Sequence, residues 1–211
     1  MRIATLLLSF VILALLLDAC KSKDAQPQSI ANVLTDGDFE APPYQDWKAS
    51  VNKISQTKPN GYTVEYSTEA ASSPSHSMKV SCSAAYNDST YQLIQQFFNV
   101  SSASAPAGSK VIPIPAGAKL TMKVKIKTVN IQGKGISIAI GGNYGPDRNY
   151  ATAFYTSTEG KTTIAGTNDF KEYTITFDSF PTNMYSMYAL IFFLPSTTGT
   201  AYYDDVSLSA N

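Results

Sequence analysis

Histidine, arginine, cysteine and net charge are all scarce in this chain of 211 residues. It holds one histidine (His76), two cysteines (Cys20 and Cys82) and two arginines (Arg2 and Arg148). A single histidine leaves no histidine-based zinc site and no nucleophile–histidine relay with its partners in place. Two cysteines, one of them near the N-terminus, cannot staple a disulfide scaffold. Lysine plus arginine equals aspartate plus glutamate at 16 each. A neutral chain has no long-range field to recruit nucleic acid or an anionic bilayer, and one arginine beyond Arg2 is too few to read phosphates. Nucleic acid is therefore excluded as a partner.

One long apolar run is present, from Leu6 to Leu17, broken only by Ser9. It is shorter than the ~20 residues that span a bilayer and has the length of a signal-peptide core. It follows Arg2 and ends in Leu17-Asp18-Ala19-Cys20, which resembles the lipobox of bacterial lipoproteins; Asp18 stands where a small or apolar residue is usual. The resemblance implies cleavage after residue 19 and lipidation of Cys20. Residues 20–31, beginning Cys20-Lys21-Ser22 and containing Pro27, then read as a polar tether, and 32–211 as one domain. An ordinary secretory signal with a chance cysteine is the alternative. Lipidation would place the domain in the bacterial cell envelope, anchored to a membrane (the outer membrane is expected) with the facing side left open.

The rest of the chain alternates with period two. Leu120 to Lys127 is apolar at even positions and Thr or Lys at odd ones, and Tyr173–Phe177 and Val206–Leu208 repeat the pattern, as half-buried strands do. Further strands are expected at Val51–Ile54, Tyr62–Ser67, Ser77–Ala84, Tyr91–Val100, Gly135–Gly141, Ala151–Thr156 and Met187–Leu194. The last is nearly continuous apolar and reads as buried on both faces. Turn signals stand at Pro59-Asn60-Gly61, Gly141-Gly142-Asn143 and Glu159-Gly160-Lys161, and Ser101–Ser109 reads as an exposed loop. Pro113 and Pro115 forbid a central strand between them. About ten strands without an amphipathic helix make an all-β antiparallel sandwich, a jelly roll. Cys82 falls on the apolar side of its strand and reads as a buried core thiol.

Asn32-Val33-Leu34-Thr35-Asp36-Gly37-Asp38-Phe39-Glu40, followed by Trp47, and the closing Tyr202-Tyr203-Asp204-Asp205-Val206-Ser207-Leu208 together resemble the opening and closing segments of carbohydrate-binding modules of the cellulase and xylanase type. Those modules are galactose-binding-like jelly rolls. Ser77-Met78-Lys79-Val80, Gln95-Gln96 and Phe170–Thr174 fit internal strands of the same pattern in the same order; Asp36 and Phe170 depart from it. The resemblance implies a polysaccharide or oligosaccharide partner and a structural Ca²⁺ held by Glu40, Asp204 and backbone carbonyls near Lys79, an oxygen set suited to a hard cation. It also places Trp47 in or near the core. The alternative is a polar turn at Asp36, Asp38 and Glu40, with Asp204 paired to a lysine.

Sugar recognition needs aromatic faces and amide or carboxylate partners. Asn143, Tyr144, Arg148 and Tyr150 supply these in one loop and Tyr155 follows, so they are the expected ligand-binding residues, each open to the alternative of edge packing. Gln95 joins them, with Tyr91, Gln92 and Gln96 on the same strand; Tyr185 and Tyr188 come third. Lys123, Lys125 and Lys127 either grip an acidic polysaccharide or form a solvated strand face. Asp36, Asp38 and Glu40 sit at the first residues of the domain and not on a mid-domain strand, and no catalytic constellation is filled. Non-catalytic carbohydrate binding is the expectation. A structural or protein-interaction jelly roll without sugar affinity is its rival. The first requires an exposed aromatic platform and the second a plain polar face.

Overall fold

The computed structural model describes residues 29–41, 46–52, 61–83, 91–108 and 110–211. The expected leader, Cys20, most of the tether and the turn residues Pro59 and Asn60 lie outside these. No helix among the described residues is long and apolar enough to cross a membrane.

Among the described residues nine strands follow one another: β1 (Lys48–Asn52), β2 (Tyr62–Ser67), β3 (Ser77–Cys82), β4 (Tyr91–Asn99), β5 (Leu120–Tyr144), β6 (Thr152–Ser157), β7 (Ile164–Phe177), β8 (Met184–Phe193) and β9 (Thr198–Ala210). Every strand pair is antiparallel. The two segments expected at Leu120–Lys127 and Gly135–Gly141 are one strand of 25 residues. Its first half pairs with β7 and β9, its second half with β8 and β6. One layer is therefore β1-β4-β8-β5-β6 and the other β2-β3-β9-β5-β7. The fold is an all-β antiparallel sandwich of the jelly-roll kind, as the alternation implied.

The core lies between the layers. Leu120, Met122, Val124 and Ile126 point inward from the first half of β5, and Ile136, Ile138 and Ile140 from the second. Ile94, Ile191, Phe193, Val80 and Tyr203 meet them in the same apolar cluster. Cys82 is buried there, as expected.

Gly141-Gly142-Asn143 does not start a loop: all three lie inside β5, where the glycines serve close packing. Met187–Leu194 is central in its layer but not covered alike on both sides. Its inward residues Met187, Ala189 and Ile191 are core, whereas Tyr188 and Phe192 are only half-buried on the outside. Strand β1 runs from Lys48, three residues before the expected start.

The N-terminal segment closes the sandwich along β9. Ile30 exchanges both backbone hydrogen bonds with Ala210, the Val33 N–H donates to the Leu208 carbonyl (2.8 Å), and the Val206 N–H donates to the Gly37 carbonyl (2.7 Å). Backbone pairing thus begins at Ile30, two residues before the expected domain start. Trp47 is fully buried, 5.6 Å from the Phe39 ring. Its indole N–H is shared between the Thr35 and Asp36 carbonyls at 3.1 and 3.0 Å. Trp47→Ala is expected to cost about 3–5 kcal/mol, the usual loss for a buried tryptophan, read as a lower midpoint of urea unfolding.

Candidate functional site

Residues directly opposite on antiparallel strands share a face, so the strand register defines the outer surface of each layer. On the β1-β4-β8-β5-β6 layer, Phe97 of β4 faces Tyr188 of β8, Tyr188 faces Gly141 of β5, and Gly141 faces Tyr155 of β6. With neighbouring strands ~4.8 Å apart, the row from Phe97 to Tyr155 crosses about 14 Å of sheet. Phe97 is 56% exposed and Tyr155 48%, far more than large apolar side chains usually are in a sandwich.

The neighbouring rows on the same face are Gln95, Leu190, Ala139 and Ser157, with Lys48 at the edge, and Asn99, Ser186 and Asn143. Beyond Gln95, Leu93 faces Phe192, whose ring meets Tyr91 edge-on at 5.6 Å. A groove of about 570 Å³ borders this surface, lined by Thr35, Asp46, Lys48, Gln95, Phe97 and Lys110 among others. Burial raises the pKa of Tyr155 and Tyr188, so both stay neutral phenols able to donate and accept.

Of the expected ligand-binding residues, Gln95, Asn143 and Tyr155 come together here. Tyr144 does not: it packs against the core cluster, and the Arg148 guanidinium lies 4.4 Å from its ring centroid, so these two occupy each other. Tyr150 is exposed but meets Tyr185 edge-on at 5.6 Å, beyond the single 3-10 turn Pro146–Arg148. Gln92 and Gln96 point inward, against expectation. Gln96 accepts from the Thr35 N–H (3.0 Å) and donates to the Thr35 carbonyl (2.9 Å), and Gln92 donates to the Leu93 carbonyl (2.8 Å). Phe97, the most exposed of these rings, was not among the expected residues. Its signal was available: on β4 it shares the outward parity of Tyr91 and Gln95.

The other outer face is of opposite chemistry. Lys123 pairs with Glu172 (2.9 Å), Lys125 with Asp205 (2.8 Å), Lys127 with Asp169 (2.9 Å) and Lys79 with Glu65 and Glu69 (2.9 and 2.7 Å). The lysine stripe is thus the solvated, ion-paired face, and its charge is spent on its own acids.

The expected calcium ligands meet donors and not one another. Glu40 Oε1 accepts from the backbone N–H groups of Ser75 and His76, both at 2.8 Å, and Oε2 accepts from Ser75 Oγ at 2.7 Å and faces His76 Nδ1 at 2.9 Å. Hydrogen bonds from His76 and Ser75 hold the Glu40 carboxyl down at about 2. Asp204 Oδ2 accepts from the Ser72 and Ser73 N–H groups, and Oδ1 from Ser73 Oγ and the Asp205 N–H. An ionised carboxylate has about four lone-pair directions; Asp204 has four donor partners, and Glu40 has three with His76 Nδ1 as the fourth when that nitrogen carries the proton. Lys79 sits mid-strand, paired on both sides by β2 and β9. The donor set, all N–H and O–H, does not fit a cation that demands bare oxygen. His76 turns one nitrogen, Nδ1, to both Ser75 Oγ and Glu40, whereas a relay needs the two ring nitrogens on different partners.

No protein-family model matches the chain, and no curated protein sequence does. Solved structures do. The enzymatically active domain of bacteriophage CBA120 tailspike protein 4 superposes with a TM-score of 0.57 at 15% identity, over 84% of this chain and 21% of that one. This chain therefore spans about a fifth of the tailspike chain. A carbohydrate-binding module, CBM4, superposes with a TM-score of 0.50 at 16% identity, over 84% of this chain and 99% of that one. At these identities the likeness is one of fold: a β-sandwich of the carbohydrate-binding-module type.

Two outcomes follow for the carboxylate clamps. Adding calcium to chelator-treated protein should leave the melting temperature within about 1 °C, because no oxygen shell awaits the ion. Ser73→Ala, which strips a donor from buried Asp204, should lower the melting temperature by roughly 3–10 °C, at 1.5–3 kcal/mol for a hydrogen bond to a charged group. Differential scanning calorimetry checks both.

Proposed function

We propose that this domain binds a polysaccharide chain without catalysis, on the outer face of the β1-β4-β8-β5-β6 layer, and that lipid on Cys20 holds it at the bacterial envelope. The observation that carries the first part is the row of Phe97, Tyr188 and Tyr155 across four strands. Two exposed rings with half-buried Tyr188 between them offer stacking planes for the apolar faces of pyranose rings. Gln95, Asn143 and Asn99 lie beside them as amide donors and acceptors for hydroxyls. Around those planes charge is confined to the edges, with Lys48, Lys110 and Asp46 at one and Glu159 near Tyr155 at the other, and the two signs offset, which suits an uncharged glycan.

The rival, an interaction domain with a plain polar surface, fits the ion-paired face but not this one. The likeness of fold to a carbohydrate-binding module agrees with the sugar-binding reading. The lipobox-like Leu17–Cys20 supports the anchor, since a neutral domain has no charge-based route to a membrane. A glycan array with purified residues 21–211 tests the binding, and globomycin-sensitive processing in a bacterial host tests the anchor. Phe97→Ala and Tyr155→Ala should each weaken retention on a recognised polysaccharide about tenfold or more, as for anchoring aromatics in other interfaces. Lys123→Ala on the opposite face should leave it unchanged. Retention indifferent to both aromatic changes would reject the proposed face.

A further inference from the structure

Gly141 occupies the middle of the aromatic row, and nothing in its backbone calls for glycine. It lies inside β5 beside Gly142, pairs with Tyr188 of β8 and Tyr155 of β6, and is not at a left-handed φ. A glycine in a strand interior gives up about 0.5–1 kcal/mol relative to alanine, so a reason must be sought in space. A methyl group there would lie 2.5 Å from Cε2, 2.6 Å from Oη and 2.7 Å from Cζ of Tyr188. The outer half of the Tyr188 ring therefore lies down across the neighbouring strand, over the bare backbone of Gly141.

Its surroundings make this specific. On the same face of β5, Ser137 and Ala139 keep their side-chain carbons, opposite Phe192 and Leu190. Phe192 leans the other way, onto Tyr91 of β4. Tyr188 lies over β5 at the one position on this face, among Ser137, Ala139, Gly141 and Asn143, that lacks Cβ. A ring standing upright would present an edge to the solvent. One laid on the sheet presents a face, in the same cross-strand row as Phe97 on one side and Tyr155 on the other.

We propose that Gly141 is a positioning residue for Tyr188: by leaving β5 bare at that point it lets the ring lie flat as the middle plate of a three-ring track for an uncharged pyranose chain. This rests on the glycan-binding reading above. Gly141 itself touches no ligand in the scheme and acts only through Tyr188. Any Cβ at residue 141 lifts the ring, breaks the track at its centre and leaves the two outer plates in place.

A double-mutant cycle tests it, because two residues acting through one contact are non-additive. Gly141→Ala, Tyr188→Ala and the double variant are made in residues 21–211, with Phe97→Ala and Tyr155→Ala alongside. Each is run by affinity electrophoresis through gels containing soluble xylan, β-1,4-galactan or mixed-linkage glucan, and each is melted. Gly141→Ala should reduce retention about as much as Tyr188→Ala, roughly tenfold or more, with no further loss in the double variant. Its melting-temperature penalty should largely vanish when Tyr188 is already alanine, since the obstructed ring is gone.

Additive melting effects, or full retention by Gly141→Ala while Phe97→Ala and Tyr155→Ala lose it, would overturn the positioning role and spare the glycan face. Retention by no gel, or retention untouched by Phe97→Ala and Tyr155→Ala, would overturn the glycan face and this inference with it.

Discussion

One strand belongs to both layers, and the rest of the sandwich is arranged around that constraint. Strands of 3–10 residues are usual, whereas β5 runs for 25. A strand that long must bend to follow two sheets that face each other. The bend is built between Asn130 and Ile136, where the register shifts twice and Asn130, Gly133 and Gly135 adopt left-handed backbone (φ 52, 86 and 85). A side chain at Gly133 would collide with the backbone of Ser196 and Thr197. The connection between β8 and β9 locks this corner: Thr197 Oγ1 accepts from the Gly135 N–H at 2.8 Å, and the Leu194 N–H donates to the Gly135 carbonyl at 2.9 Å. Bulges and glycine at such a corner are the ordinary physical route by which a sheet turns.

Because the two halves of β5 have different neighbours, the two outer faces diverge in chemistry. The first half carries Lys123, Lys125 and Lys127 into a field of carboxylates from β7 and β9, and every lysine is neutralised where it stands. The second half carries Ser137, Ala139 and Gly141, small residues that form a floor between the aromatics of β4, β8 and β6. Ion pairs at a wet surface contribute little stability, but they keep the first face solvated. The second leaves rings uncovered, and an uncovered aromatic patch is a feature that a sandwich retains for a partner.

The layer architecture was legible because β-strands with one wet face alternate, and Leu120–Lys127 and Tyr173–Phe177 do so plainly. The fusion of two such segments through Asn130–Gly135 was not, since glycines there read as a break and serve as a bend. Part of the candidate face was legible as well. Tyr155, Gln95 and Asn143 were chosen for their chemistry and do lie on one face, whereas Tyr144 and Arg148, chosen on the same grounds, satisfy each other. Chemistry selects residue types, but parity along a strand decides which way they point. Hydropathy misleads on β4, where Gln92 and Gln96 are inside with Ile94 and Phe98, and Leu93 and Phe97 outside. Polar and apolar residues are inverted at Gln92, Leu93, Gln96 and Phe97, so chemistry alone does not pick out Phe97.

That inversion is also what holds the site in place. The N-terminal segment around Thr35 has no strand partner at β4, and backbone groups that are even partly buried need partners. Gln96 supplies both missing bonds, accepting from the Thr35 N–H and donating to its carbonyl, while Trp47 adds a second donor to the same carbonyl. The amide takes over what a neighbouring strand would have done. It sits one residue before Phe97, so the bond that fastens the N-terminal segment to the core also fixes the backbone carrying the most exposed ring. A polar residue turned inward and an aromatic turned outward are two halves of one arrangement. An apolar residue in place of Gln96 would restore the alternation while taking the acceptor from the Thr35 N–H behind the platform and leaving its carbonyl to the Trp47 indole.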